Sequence, residues 1–119
     1  MFTLYEFDRL YRRKVRATGV TGSVVRMQTK PIRPGKLRVI SHVTVEDETN
    51  AYTLLRIGIT NLGEAYSLDE LTTPGLGELA VCHEDHILGD GDCFFADLTG
   101  TTTGDVLLMA LSGWELTLK

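Results

Sequence analysis

Residues 37–59 read LRVISHVTVEDETNAYTLLRIGI, and their period decides the fold. Leu37, Val39, Val43 and Val45 alternate with Arg38, His42, Thr44 and Glu46, the pattern of a strand with one face buried. Leu55, Ile57 and Ile59 repeat it against Arg56, Gly58 and Thr60. Between the two lies Glu46–Asn50, whose Asp and Asn side chains favour a turn by bonding their own backbone. Working outward, Asn61–Gly63 turns the chain into a short strand near Ala65–Leu68, and Thr73–Gly77 is a loop. Further strands are expected near Ser23–Thr29, Glu78–His83, Asp92–Leu98 and Asp105–Trp114, with turns at Gly89–Gly91 and Gly100–Gly104. Short strands at this spacing, with no helix-length segment between them, predict an all-β chain. The expected fold is an antiparallel β-sandwich, jelly-roll-like. One stretch, Val106–Leu111 (VLLMAL), is apolar on both faces, so it is either central in a sheet or covered on its outer side.

The first part of the chain breaks the pattern. Phe2, Phe7, Leu10 and Tyr11 roughly follow helical spacing, and Lys30–Lys36 carries two prolines that oppose ladder pairing. Residues 1–36 therefore read as an N-terminal basic arm or short helix with a linker, and 37–119 as the sandwich body, with the strand near Ser23–Thr29 available to join it. Charge follows the same division. The net charge is −4, but residues 1–38 hold ten of the twelve Lys and Arg and sum to +8, leaving −12 on the rest. A basic segment joined to an acidic body calls for an acidic partner, which a second copy of the body could supply. Arg9, Arg12, Arg13, Lys14 and Arg16, with Phe2, Phe7, Leu10 and Tyr11, are the candidate subunit-interface residues.

With 119 residues, 43% hydrophobic and 24% charged, the chain suits one globular domain. No apolar run is long enough for a membrane span, and Glu6 and Asp8 interrupt the start in a way a signal peptide would not. No membrane partner is expected.

The candidate chemistries are weak. Cys82, His86 and Cys93 include zinc-ligand types, but the spacing is wrong for a closed tetrahedral site. A Cys82–Cys93 disulfide needs the right strand register. Asp90-Gly91-Asp92 lacks the full set of oxygens a calcium loop needs, and Glu46-Asp47-Glu48 read as three solvated turn acids. No nucleophile elbow or phosphate loop is present in the sequence. The reading is therefore a non-enzyme with no catalytic, metal or cofactor residues. Nucleic acid is not expected as a partner, because the acidic body would repel it.

The stretches RVISHVTVEDETNAYTLLRIGI (38–59), EAYSLDEL (64–71) and GDGDCFFADLTGTTTGDVLLMALSGWE (89–115) together resemble small β-sandwich accessory proteins of tailed-bacteriophage virions. The resemblance implies a structural role: capsid decoration or a head–tail accessory subunit, bound to other virion proteins and to copies of itself. It implies a virion location, after synthesis in the host cytoplasm. The alternative is a carbohydrate- or receptor-binding module, with a site in the loops Glu46–Asn50 and Asp85–Asp92 and Tyr52, Tyr66 or Trp114 as the aromatic platform.

Overall fold

The computed structural model describes residues 5–118 as nine strands and no helix. In chain order they are β1 (Tyr5–Thr18), β2 (Val25–Gln28), β3 (Lys36–Asp47), β4 (Leu54–Asn61), β5 (Glu64–Thr72), β6 (Ala80–Cys82), β7 (His86–Leu88), β8 (Cys93–Thr99) and β9 (Val106–Leu118). One sheet has the order β1-β9-β3-β6, with β7 also on β3; the other has the order β2-β8-β4-β5. Every pairing is antiparallel. The first strand therefore pairs with the last, β2 with β8, β3 with β6 and β7, and β4 with β5. This is a long hairpin, closed at Leu62 and Gly63, rolled into two layers: the jelly-roll arrangement.

The inner face of β4 follows the alternation read from the sequence, but in β3 the expectation of one face shared by Leu37, Val39, Val43 and Val45 is corrected: the irregularity between Ile40 and His42 shifts the register, so Ile40 joins Val43 and Val45 inside while Leu37 and Val39 stand on the outer face. Ile40, Val43 and Val45 of β3 and Leu55 and Ile57 of β4 are buried, and Leu107, Met109 and Leu111 of β9 meet them together with Phe94, Ala96 and Leu98. The run VLLMAL is two-sided because β9 lies between β1 and β3; Leu108 and Ala110 on its outer face are half-buried. Close to the β3–β9 irregularity between Ile40 and His42, a Cβ on Gly113 would stand 1.9 Å from the Val39 carbonyl oxygen. Only glycine lets the two backbones come that close.

The reading of residues 1–36 as an arm or helix outside the sandwich is corrected. Residues 5–18 form a full-length strand paired with β9, from Tyr5↔Leu118 to Thr18↔Val106. The physical reason lies in their faces. Tyr11 is buried and Val15 and Ala17 pack on the core from one side, while Arg12, Lys14 and Arg16 project from the other. Arg13 interrupts the inward set, so the period of two is masked, and the tertiary partner overrides the weak helical spacing. Met27 of β2 and Ile32 of the proline loop also belong to the core. Phe2 lies outside the described residues.

Two smaller differences follow from strand length. β7 is only three residues long and falls in a stretch that reads as a ligand cluster, not a strand. β5 runs to Thr72, past the expected Leu68, because β4 pairs with it from Asn61 back to Leu54.

Candidate interaction surface

Register assembles the outer face of the first sheet. Leu10 stands opposite Trp114, Trp114 opposite Val39, and Val39 opposite Ile87, one apolar row across β1, β9, β3 and β7. Phe7, Leu116 and Leu37 form a shorter row beside it. Phe7, Leu10 and Ile87 are each more than 60% exposed, at 63%, 64% and 61%. Large apolar side chains contiguous on a sheet face mark an interaction surface, where scattered ones would not.

Further along the same face the rows become basic. Arg12 lies opposite Ser112 and His42 in turn, Lys14 opposite Ala110, and Arg16 opposite Leu108. Among the described residues none of these three cations has an ion-pair partner. A shallow groove of about 410 Å³ follows β1 here, bordered by Arg12, Lys14, His42, Thr44, Ala110 and Ser112.

The outer face of the second sheet is different. Arg26, Asp97, Arg56 and Glu70 line up across its four strands. Arg26 binds Asp97 through two bonds of 2.7 and 2.8 Å, and Arg56 binds Glu70 at 2.6 Å. Its charges are internally neutralised.

The nine candidate interface residues therefore divide. Arg12, Lys14, Arg16, Phe7 and Leu10 share the outer face. Arg9 and Tyr11 serve the fold instead. The Glu115 carboxylate is buried between Arg9, whose Nε lies 3.0 Å from Oε2, and Arg38, whose Nε lies 3.0 Å from Oε1. Burial alone would raise the Glu115 pKa; hydrogen bonds from Arg38 and then Arg9 hold it below the usual carboxylate range. Arg38 stacks on the Tyr11 ring at 3.8 Å. Arg13 lies at an inward register position and is exposed at the sheet edge. The sequence reading missed Trp114, Val39, Ile87, Leu37 and Leu116, although the two-sided apolar character of β9 was a signal for an occupied outer face.

The other candidate clusters take structural roles. Cys82 Sγ lies 3.4 Å from His86 Nε2, but Cys93 is in β8 of the opposite sheet, and both thiols are free. Burial pushes the His86 pKa down, against the pull of Glu84, Asp69 and Asp85. Asp92 closes its own turn, accepting from Gly89 N at 2.8 Å and Asn61 Nδ2 at 2.6 Å. The expectation of three solvated acids at 46–48 is corrected at Asp47, which is fully buried. Its Oδ1 accepts from the backbone of Thr49 and Asn50, while Oδ2 meets no donor. Burial, and then the neighbouring Asp105 carboxyl, raises the Asp47 pKa. At Asp105 burial also pushes upward, but its surroundings, among them the bonds from Thr102 N and Asn50 Nδ2, outweigh it and lower the pKa.

The carbohydrate loops do not converge. Glu46–Asn50 lies at one end of β3, and His86–Leu88 pairs with Arg38–Ile40 near the other. Tyr52 is buried, its hydroxyl pushed up to about 12 by burial and then by Asp47 and Glu78, so it cannot serve as a stacking platform.

No protein-family model and no curated protein sequence matches the chain. Solved structures share the fold at low identity. A chain from the acid-stable capsid of Helicobacter pylori bacteriophage KHP30 superposes with TM-score 0.55 at 12% identity, covering 96% of this chain and 91% of that one. A chain of the disulfide-linked pili that form Bacillus endospore appendages gives 0.51 at 10%, covering 94% and 92%. A chain from Bacteroides thetaiotaomicron described as an alpha-L-fucosidase gives 0.53 at 8% identity; the match covers 83% of this chain but only 22% of the fucosidase. The shared fold is the two-sheet β-sandwich, which capsid and pilus chains use over almost their whole length.

Proposed function

We propose that this protein is a non-enzymatic structural subunit of a tailed-phage virion, a capsid decoration or head–tail accessory protein. It docks on other virion proteins through the outer face of β1, β9, β3 and β7. The observation that carries the reading is the contrast between the two outer faces. One neutralises its own charges, and the other presents Phe7, Leu10 and Ile87 beside three cations with no ion-pair partner among the described residues. A solvated sandwich gains nothing from such a face, whereas an interface core of apolar side chains with a charged rim has this anatomy. Fold analogy agrees, since jelly rolls are common in viral capsids and the capsid chain above matches along its length. Asp47, Asp92, Asp105 and Glu115 are engaged in hydrogen bonds that hold turns and strands together, which supports a structural reading of these carboxylates.

The test is incorporation into particles. A Leu10→Asp, Ile87→Asp double variant changes only exposed side chains and should keep the wild-type melting curve. Wild-type protein should co-sediment with purified virions, and the variant should stay in the supernatant. Equal binding of the variant, or no association of the wild type, overturns the proposal.

A further inference from the structure

Beyond the docking face, we infer that copies of this chain join head to tail by strand addition, the free edge of β1 pairing with the free edge of β5 in the next copy. Each sheet has one long end strand: β1 is hydrogen-bonded only to β9, and β5 only to β4, whereas the opposite ends are the four-residue β2 and the three-residue β6 and β7. Both edges are long, at 14 and 9 residues, and an open strand presents unpaired N–H and C=O groups to a partner. All nine residues of β5 are exposed, including Tyr66, Leu68 and Leu71.

Charge selects the pairing. β1 carries Arg12, Arg13, Lys14 and Arg16 within five residues, with no ion-pair partner among the described residues. β5 carries Glu64 and Asp69, equally free of a cation partner, and Glu70, held by Arg56. Two β1 edges repel each other, and so do two β5 edges, so β1 against β5 is the attractive combination. Such a contact joins two different surfaces and so generates a ring or a filament, not a closed two-fold dimer.

The test uses the full chain in sedimentation velocity at low and high salt. One variant carries Arg12→Glu, Lys14→Glu and Arg16→Glu; the other carries Glu64→Lys and Asp69→Lys. The wild type should self-associate as concentration rises and dissociate as salt is added. Each variant alone, with edges now of one sign, should lose affinity by about a hundred-fold or more. Mixing the two should restore assembly, because each then offers the other an edge of opposite sign. A wild type that stays monomeric, a variant that assembles alone, or a mixture that stays monomeric overturns the inference. Should the triple variant fail to fold, the β5 variant still decides, because a two-fold β1–β1 contact would leave it fully assembled. Monomeric protein that still binds virions would overturn this inference and leave the structural role standing.

Discussion

Glu115→Gln removes one charge from the most enclosed ion pair in the fold. Glu115 is 3% exposed, Arg38 13% and Arg9 61%. The two halves of the triad therefore differ in worth. The Arg9 half resembles a surface salt bridge, about 0–1 kcal/mol. The Arg38 half is buried, and taking the anion from a buried pair costs about 3–5 kcal/mol, because the remaining cation is left uncompensated. Glutamine keeps the volume and one acceptor oxygen, and Arg38 keeps its stacking on Tyr11, so the expected loss sits at the low end, about 3 kcal/mol at neutral pH. The pH dependence gives the prediction its sign. The folded pKa of Glu115 lies below its unfolded value, so the stabilisation is complete above the ordinary glutamate range, near 4.5, and is lost as pH falls through the folded value. Urea denaturation of both proteins at pH 7 and near pH 3 measures the two differences. The gap should be about 3 kcal/mol at pH 7 and clearly smaller in acid. A loss under about 1 kcal/mol at pH 7, or a gap that pH does not change, refutes the account of a buried charge between two guanidinium groups.

Ile57→Ala should cost about 2–3 kcal/mol, the low part of the range for a buried aliphatic, because Ile57 borders an open cleft of about 270 Å³ between β5 and β6 into which neighbours can relax; a loss under about 1 kcal/mol in urea melts would place that face in solvent. Gly113→Ala forces a Cβ onto the Val39 carbonyl and should lower the melting temperature by roughly 10 °C, whereas Gly89→Ala, with nothing within 4 Å of its Cβ, should be near neutral. Equal melting points for the two would remove the steric argument. The depressed His86 pKa means the unfolded chain binds its proton first, so stability is full above about pH 6.5 and declines as pH falls below it. His86→Asn should flatten that decline between pH 7 and 5 in denaturant melts, and an unchanged slope would assign it to other groups.

The sequence alone determined the two-layer β fold. Alternation in β4 and along each part of β3 fits strands with one face buried, the two-sided apolar run of β9 fits a strand inside a sheet, and glycine-rich turns close together left no room for helices. It also located the charge division, because composition needs no coordinates. It misread β1, since Arg13 at an inward position and a polar outer row hide the period of an edge strand whose order comes from β9. It missed β7, because three residues carry no period. Asp47 read as solvated because the side chains that enclose it, Asp105 among them, arrive from the far end of the chain, and burial there depends on a partner that spacing along the sequence cannot reveal. The proposed interaction face belongs wholly to tertiary structure. Leu10, Val39, Ile87 and Trp114 come from four strands, and a slip of one residue in any pairing would turn a member of the row to the opposite face. Register decides whether those side chains form a surface, and register is set by the packed core, not by any one strand.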